Sequence, residues 1–203
     1  LIMDVGSSPE KKFSKDYQSG ALSFEIISNG KKIICNSGYF QNYQHKLNEL
    51  SKSTATHSTL IIDNNSSCKL RKIGNKSSLI EKGLKILNKS SVFEKNYWNI
   101  IASHNGYLKK YGIIHERKIE FFPEHNKFIG TDTLIRKKNY KNTNFEIRFH
   151  LQPSSKIMKT QDNKSIFIEV DNEGWKFTCN NHEINLETGL YFGKKSSYIE
   201  NKN

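Results

Sequence analysis

The sequence predicts an all-β protein, an antiparallel β-sandwich with short helical turns in its loops. Three observations predict this fold class. Apolar and polar residues alternate with a period of two in many segments, helical periodicity is scarce, and turn-forming residues separate the segments at short intervals. The 203 residues suit one such domain and are enough to bury a substantial core.

The first sixteen residues predict a polar connector rather than part of the sandwich. A short apolar patch, Leu1 to Val5, is followed by Gly6, Ser7, Ser8 and Pro9, which interrupt any strand. The chain starts at Leu1 and stops in the polar run 200–203, so we interpret both ends as cuts. We therefore expect an N-terminal domain before residues 1–16 and assign residues 17–203 to the sandwich.

The strongest local pattern is a β-hairpin at residues 21–35. Leu22, Phe24 and Ile26 share one face of a strand, and Asn29-Gly30 favours the positive φ angles of a tight turn before residues 31–35 return. Residues 41–56 predict a loop with one helical turn. Residues 76–90 stay ambiguous, because their leucines fit a short amphipathic helix that Gly83 disfavours. Further strands are predicted at 59–62, 98–103, 112–122, 127–136, 145–151, 165–170, 175–179, 182–186 and from 191 onward.

The chain carries a net charge of +12 and a pI of about 9.5. Such a charge favours an acidic partner: nucleic acid, an anionic membrane surface or an acidic polysaccharide. Compositional drift towards Lys, Asn, Ser and Ile explains the charge equally well. The lysines occur singly or in pairs such as Lys109-Lys110 and Lys137-Lys138, not in the blocks of a nucleic-acid-binding arm. No apolar stretch approaches the roughly 20 residues of a membrane-spanning helix.

The three cysteines and the histidines offer few chemical motifs. Cys35, Cys68 and Cys179 are too widely spaced for a disulfide framework or a CxxC zinc site, and Cys35 is predicted to be a buried hydrophobe. His45, His125 and His182 are predicted to lie at the surface. The sequence also lacks the GxSxG elbow, the P-loop, the dinucleotide fingerprint and the HExxH helix.

The remaining histidines occupy more informative positions. His57, in a Ser/Thr-rich segment before a strand, is compatible with a metal ligand, a proton shuttle or a structural hydrogen-bonded role. His104 begins a turn with Tyr107, and both are compatible with a sugar site or a plain turn. His115 and Arg117 share the more apolar face of their strand and must be paired or line a cleft, because unpaired burial is costly. Arg148 and His150 are predicted to lie on a solvent-exposed face.

Several segments in order resemble the heparinase II/III-like polysaccharide lyases, in the proteobacterial branch. They are Gly20 to Glu25, Asn29-Gly30, Ile33 to Gly38, Ser53 to Leu60 with Asp63, His104 to Tyr107, Gly112 to Arg117, Gly130 to Asp132 and Arg148 to Leu151. The resemblance spans most of residues 4–200. Each motif alone is weak, whereas the ordered set is fairly specific.

The resemblance implies an activity shared between two domains. In this family an N-terminal α/α toroid carries much of the active site and the β-sandwich packs against it. The reaction is β-elimination at an acidic sugar: one group neutralises the uronate carboxylate, a base removes the C5 proton, and an acid protonates the leaving oxygen. The partners implied are an acidic polysaccharide and the toroid, and a periplasmic location is favoured. The fragment alone is expected to be inactive, with a non-catalytic acidic-glycan-binding or support module as the alternative.

The resemblance also assigns site residues, with departures. Gln18 stands where members usually have a cleft-facing histidine, Gly20 where many have Asp or His, and Asn36 where many have Asp. His57 matches the histidine of the Ser/Thr-rich motif. The candidate catalytic residues are thus His57 and Gln18, and Gln18, which does not titrate, retains the ability to donate a hydrogen bond to a carboxylate.

The candidate substrate-binding residues form a second set. They are Asn36, His104, Tyr107, His115 and Arg117. In members with a metal in the sandwich, the ligands are expected at positions 20, 36 and 57. Gly20 offers no side-chain ligand and Asn36 is a poor zinc ligand, so no metal or other cofactor is predicted here.

Overall fold

The structure, a computed structural model, describes residues 1–74, 77–137, 142–193 and 197–202, with only the backbone of residues 201 and 202. Their strands are β1 (Ile2–Met3), β2 (Phe24–Ser28), β3 (Lys31–Cys35), β4 (Leu60–Ile62), β5 (Lys69–Lys72), β6 (Ser78–Lys82), β7 (Ile86–Glu94), β8 (Tyr97–His104), β9 (Ile113–Phe122), β10 (Lys127–Arg136), β11 (Phe145–Ile147), β12 (His150–Leu151), β13 (Lys156–Lys159), β14 (Ser165–Val170), β15 (Glu173–Thr178), β16 (Thr188–Tyr191) and β17 (Ile199–Lys202). The helices are α1 (Lys46–Ser51) and α2 (Leu108–Tyr111), with 3₁₀ turns at Lys11–Phe13, Thr54–Thr56 and Pro123–His125.

The strands pair in antiparallel sheets. Two four-stranded sheets have the orders β1-β2-β3-β12 and β10-β9-β8-β7, and β13-β14-β15 form a three-stranded sheet. The pairs β4-β11, β5-β6 and β16-β17 complete the strands that the structure describes. None of its described helices is long and apolar enough to cross a membrane.

The main core lies between these sheets. Phe24 and Ile34 of the first sheet, Ile119 of β9 and Ile168 of β14 belong to one buried apolar cluster. Strands such as β9 and β14 bury alternate side chains, and the three sheets contribute to one core. The all-β sandwich predicted from the sequence is therefore confirmed.

Local turn chemistry agrees with the sequence. Asn29 and Gly30 have φ angles of 44° and 77°, as a tight hairpin turn between β2 and β3 requires. The ten-residue strands β9 and β10 pair along their whole length after the Pro123–His125 turn. The predicted helical turn within 41–56 is α1, and His45 caps it by accepting a hydrogen bond from the Leu47 N–H at 3.2 Å.

Four predicted elements differ in the structure. The strand predicted from residue 191 onward has other bounds, because Tyr191 is the last residue of β16 and β17 begins at Ile199. The helix considered for 76–90 is absent from its described part, residues 77–90, where β6 and the start of β7 stand instead; Lys76, Lys138 and Asn203 lie outside the described residues. Pairing of β7 with β8 supplies backbone partners along eight positions, more than a short helix interrupted by Gly83 would gain. The strand predicted at 182–186 is also wrong, because these residues have no regular structure.

The predicted strand 145–151 is divided between two sheets. β11 pairs with β4, whereas β12 pairs with β3, and Arg148 lies at the crossing point with its N–H bonded to the Thr59 carbonyl oxygen at 3.1 Å. Because the chain passes from one sheet to another at this point, the His150 side chain faces the interior. The solvent-exposed face predicted for Arg148 and His150 is therefore wrong for His150, which is buried.

Residues 1–16 make extensive contacts with the sandwich. Ile2 and Met3 pair with β2, and the Ser14 hydroxyl accepts a hydrogen bond from the Ile80 N–H at 2.9 Å. Their predicted role as a connector to a further domain, and the boundary at residue 17, stay predictions.

Candidate functional site

The candidate site forms where two loops meet at the end of β3. The loop before β2 carries Gln18, the loop before β4 carries His57, and Asn36 follows β3; these three residues are called the rim residues below. Hydroxyl side chains join the loops in place of strand pairing. Thr54 Oγ1 donates to the Ser19 carbonyl oxygen at 2.7 Å, and Thr59 Oγ1 donates to the Ala21 carbonyl oxygen at 3.1 Å. The Ser/Thr-rich sequence thus holds both loops without a sheet.

His57 is buried and neutral. Its Nδ1 lies 2.8 Å from the Ser53 carbonyl oxygen, and only an Nδ1–H can make that bond. Burial lowers the pKa of His57 to about 4, although the Ser53 carbonyl acts in the opposite direction. At neutral pH the ring therefore carries its proton on Nδ1 and presents the lone pair of Nε2 to Gln18.

The tautomer of His57 also orients Gln18. The side-chain amide of Gln18 reaches the ring, with its oxygen position 3.3 Å from His57 Nε2. That nitrogen carries a lone pair and needs a donor. The Gln18 amide supplies one when its NH₂ group faces the ring, an orientation in which only the amide oxygen and nitrogen exchange positions. One N–H of Gln18 is then held by His57 and the second is left to donate elsewhere.

Asn36 is held by the backbone of the His57 loop. Its Oδ1 accepts from the Ser58 N–H at 2.8 Å, and its own N–H donates to Glu25 Oε1 at 3.1 Å. Glu25 in turn pairs with Lys32 at 2.7 Å. Glu25 and Lys32 were missed as neighbours of the site, although the alternation of β2 had already placed Glu25 on its polar face.

A metal does not fit the positions that the family resemblance implied. The space that a side chain on Gly20 would need is filled, since a Cβ there would lie 2.5 Å from His57 Cδ2. Asn36 Oδ1 is engaged by a backbone N–H, and Nδ1 of His57 by a carbonyl oxygen. Among the described residues no group of three or more His, Cys, Asp or Glu side chains is arranged to hold a metal ion. The donor set of this rim therefore does not suit zinc.

Four of the predicted substrate-binding residues form a buried cluster behind the rim. His104, Tyr107, His115 and Arg117 are each at most 1% exposed. The Gly106 N–H donates to His104 Nδ1 at 3.0 Å, His104 Nε2 lies 3.3 Å from His115 Nδ1, and His115 Nε2 lies 2.6 Å from Asp132 Oδ1. These contacts are consistent with one direction of donation only, from His104 through His115 to the carboxylate.

Asp132 makes the buried cluster electrostatically stable. Burial alone would raise the pKa of Asp132, but the Arg117 charge and the hydrogen bonds outweigh it and lower that pKa to about 2. Burial lowers the pKa of both His104 and His115, so both rings are neutral. The sequence had indicated that His115 and Arg117 must be paired or line a cleft, and the structure shows that they are paired. Whether any of the four side chains contacts substrate stays a prediction.

Two further buried groups support the loops. His150 lies 3.0 Å from the Ala55 carbonyl oxygen through Nε2 and 3.1 Å from Ser37 Oγ through Nδ1, and burial lowers its pKa to about 4. The Tyr107 hydroxyl donates to the Leu60 carbonyl oxygen at 2.9 Å. His150 thus holds the loop that carries His57, and Tyr107 holds the first residue of β4, which follows that loop.

A cluster of tyrosines beside Gln18 was not anticipated from the sequence. The hydroxyls of Tyr39 and Tyr43 both donate to Asp16 Oδ1 at 3.0 Å, and Lys15 Nζ lies 4.5 Å from the Tyr43 ring centroid. Lys52 lies beneath them, fully buried, and burial lowers its pKa. The four-residue spacing of the tyrosines was the available signal, but nothing in the sequence connected them with Asp16.

The fold and the rim together define a class of protein, an antiparallel β-sandwich domain with a polar rim formed by two loops. Residues 1–201 match the family described as Heparinase II/III-like, C-terminal, and the chain belongs to that family. This confirms the resemblance to the family that the ordered motifs had indicated, whereas the proteobacterial branch stays a prediction. Neither the comparison with curated proteins nor the comparison with solved structures gave a match.

Proposed function

We propose that this chain is the C-terminal β-sandwich of a polysaccharide lyase that acts by β-elimination on uronate-containing polysaccharide. It completes a cleft supplied by an N-terminal α/α toroid and is inactive without that toroid. The observation that carries the proposal is the contact between Gln18 and His57, which brings together two residues 39 positions apart at the rim of a family-matched sandwich. Family membership supports the assignment as a polysaccharide-lyase domain, and the contact between Gln18 and His57 supports a role of the rim in the cleft.

In this proposal Gln18 neutralises the substrate carboxylate. The second N–H of its amide, free of the His57 ring, donates to the uronate, which stabilises the negative charge that develops when the C5 proton leaves. His57 fixes the amide through its Nε2 lone pair. Lys15 and Lys32, on either side of the rim, add the positive charge that attracts a polyanion.

In this proposal the buried cluster supports the rim residues, and the rim residues contact the substrate. Asn36 is half-buried at the surface and is the member of the predicted substrate-binding set placed to contact a sugar. His104, Tyr107, His115 and Arg117 lie behind the loops and stabilise their positions. Direct contact of those four with a glycan would require the loops to open.

Activity and binding measurements on the 203-residue chain test the first part of the proposal. Mixed with heparan-type or alginate-type polysaccharide, the chain is expected to bind more weakly as salt increases and to produce no unsaturated-uronate absorbance. Gln18→Ala should weaken binding severalfold, whereas Gln161→Ala, an exposed glutamine in a distant turn, should leave it unchanged. The appearance of unsaturated uronate with the chain alone would contradict the proposed need for the toroid.

A second function is favoured by one observation. Burial lowers the pKa of His57 to about 4, and the amides of Gln18 and Asn36 do not titrate, so no rim residue is poised for proton transfer at neutral pH. The alternative is a non-catalytic module that binds acidic glycan or supports the toroid.

The full-length protein distinguishes the two functions. Replacing both Gln18 and His57 by alanine is expected to lower kcat at least tenfold if the rim takes part in the reaction. Unchanged kcat in a folded double variant would instead establish the module.

A further inference from the structure

Arg117 is one of the largest fully buried side chains in the described part of the chain, and it contacts more than its counterion. Its Nε and Nη2 donate to the two carboxylate oxygens of Asp132 at 2.8 and 2.9 Å. The remaining Nη1 donates to two backbone carbonyl oxygens, that of Leu22 at 2.9 Å and that of Ser58 at 2.8 Å. The guanidinium group also lies 5.3 Å from the centroid of the Phe24 ring.

The two carbonyl groups belong to the two loops of the candidate site. Leu22 ends the loop that carries Gln18, and Ser58 directly follows His57. No backbone hydrogen bond between Leu22 and Ser58 is present, so one nitrogen of Arg117 bridges the loops at this point. A side chain from β9 thus joins the two loops, in addition to the hydroxyl groups of Thr54 and Thr59.

Leu22 adopts a backbone conformation that requires support. Its φ angle is 61°, in the left-handed region that non-glycine residues rarely occupy, and its side chain is fully buried. This conformation directs the Leu22 carbonyl to Arg117 while the Leu22 N–H bonds the Asp4 carbonyl oxygen at 2.9 Å. Strain of this kind persists where the surroundings hold it, and it concentrates at functional sites.

The geometry requires arginine and excludes a simple cation. Asp132 lies directly opposite Arg117 in the β9–β10 pairing, so the fork of the guanidinium group meets both carboxylate oxygens. Nη1 is then aimed away from β10 towards the loops. A lysine ammonium could pair with Asp132, but it has no planar fork with which to reach the loops at the same time.

We propose that Arg117 is a positioning residue for the rim, which holds the Gln18 and His57 loops in register through the Leu22 and Ser58 carbonyl groups. Asp132 anchors the guanidinium group, and the chain from His104 through His115 fixes Asp132. The relevance of this bridge to substrate rests on the proposed function, whereas the bridge itself is a property of this chain.

Nuclear magnetic resonance of the histidine rings tests the proposal in the 203-residue chain. In the unmodified chain the ¹⁵N shifts of His57 should show a single tautomer with the proton on Nδ1. In Arg117→Lys, which keeps the charge, we expect a changed ¹⁵N shift of His57 Nε2, the atom that faces Gln18, and loss of the cross-peaks between Gln18 and His57. The Ser53 bond lies within the His57 loop and should keep the proton on Nδ1. The matched control is Lys118→Arg, the next residue, whose side chain points to the opposite face.

A folded Arg117→Lys chain with unchanged His57 shifts would overturn the proposal. A purely structural role would lower the melting temperature without altering the His57 Nε2 shift or the cross-peaks to Gln18, so the spectrum separates the two roles. If the His57 pattern depends on Arg117 but no acidic polysaccharide binds the unmodified chain, the positioning role stands and the proposed function fails.

Hydrogen exchange in the unmodified chain keeps the test decisive if Arg117→Lys does not fold. The Arg117 Nε–H and the His57 Nδ1–H should exchange through one common opening and share one dependence on denaturant. Exchange of the His57 proton through a smaller opening, while Arg117 stays protected, would show that the loop moves independently of Arg117.

Discussion

At the scale of single residues, Gly20 decides what the site can be. The missing side chain leaves the space that the His57 ring occupies, and that ring in turn meets Gln18. The absence of a side chain at residue 20 thus brings a histidine ring close to the backbone of the Gln18 loop. A rim with a histidine, an asparagine and a glutamine does not suit zinc.

The space at Gly20 gives the first prediction. Gly20→Ala places a Cβ 2.5 Å from the His57 ring, so the ring must move or the loop must shift. We expect a loss of about 1–3 kcal/mol in the free energy of unfolding, measured by urea denaturation, as for other overpacked sites.

Gly130 provides the matched control for Gly20. A Cβ on Gly130 meets no atom within 4 Å, so Gly130→Ala should be neutral or slightly stabilising. Equal effects of the two substitutions would show that the ring does not depend on the glycine.

At the scale of elements, hydroxyl groups and buried histidines replace sheet pairing around the site. The segment from Ser53 to Thr59 is held by Thr54, Thr59 and His150 through single hydrogen bonds to backbone carbonyl oxygens. Each such bond contributes about 1 kcal/mol, and leaving a buried partner unpaired costs more. This construction keeps an irregular loop in one conformation beside a regular sandwich.

The β2–β3 hairpin gives the second prediction. Gly30 has a φ angle of 77° with no steric obstacle, so Gly30→Ala is strained by its backbone alone. We expect a loss of about 1 kcal/mol in the free energy of unfolding. Gly174→Ala, at a strand position with equally open space and no positive φ, is the comparison and should cost less. A larger loss at Gly174 would contradict the turn assignment.

At the scale of the whole molecule, several buried neutral histidines link stability to pH. Burial lowers the pKa of His57 and His150 to about 4 and that of His104 to about 3, and the pKa of His115 is also lowered. All four support the loops of one site. The unfolded chain would bind protons at these positions near pH 6.5, whereas the folded chain would not.

This difference gives the third prediction, on acid stability. Since the unfolded state binds more protons between about pH 6.5 and pH 4, the free energy of unfolding should be fully retained above pH 6.5 and fall as the pH decreases through that range. At pH 5 the loss is on the order of 2 kcal/mol for each of His57, His104 and His150, which together is a large part of the stability of a domain. Urea denaturation at pH 7.5 and at pH 5 measures it.

Two variants and one outcome make the acid prediction specific. His150→Gln should lower stability at neutral pH but reduce the pH dependence, because one proton-binding difference is removed. His125→Gln, at an exposed turn, should leave the dependence unchanged. Stability that is constant between pH 7.5 and pH 5 would contradict the neutral state of the buried histidines.

The sequence was informative where local rules and the fold agree. The Asn29-Gly30 turn predicted the hairpin and the returning strand β3, the turn at Pro123 predicted β10 as the partner of β9, and 165–170 was predicted as β14, each with its observed bounds. The sequence was misleading where the availability of a partner strand decided the secondary structure. β7 forms because β8 offers a partner, and residues 182–186 find none despite their alternating pattern. Period-two patterns show that a segment can pair, not that a partner strand is available.

The sequence by itself determined the all-β class, the hairpins and the family, because alternation, turn chemistry and ordered motifs are properties of neighbouring residues. Only the tertiary structure decided that Gln18 meets His57, that Arg117 bridges two loops and Asp132, and that His150 turns inwards. Those contacts join residues tens of positions apart. Their energies depend on burial and on the direction of each donor, and both are set when the sheets pack around one core.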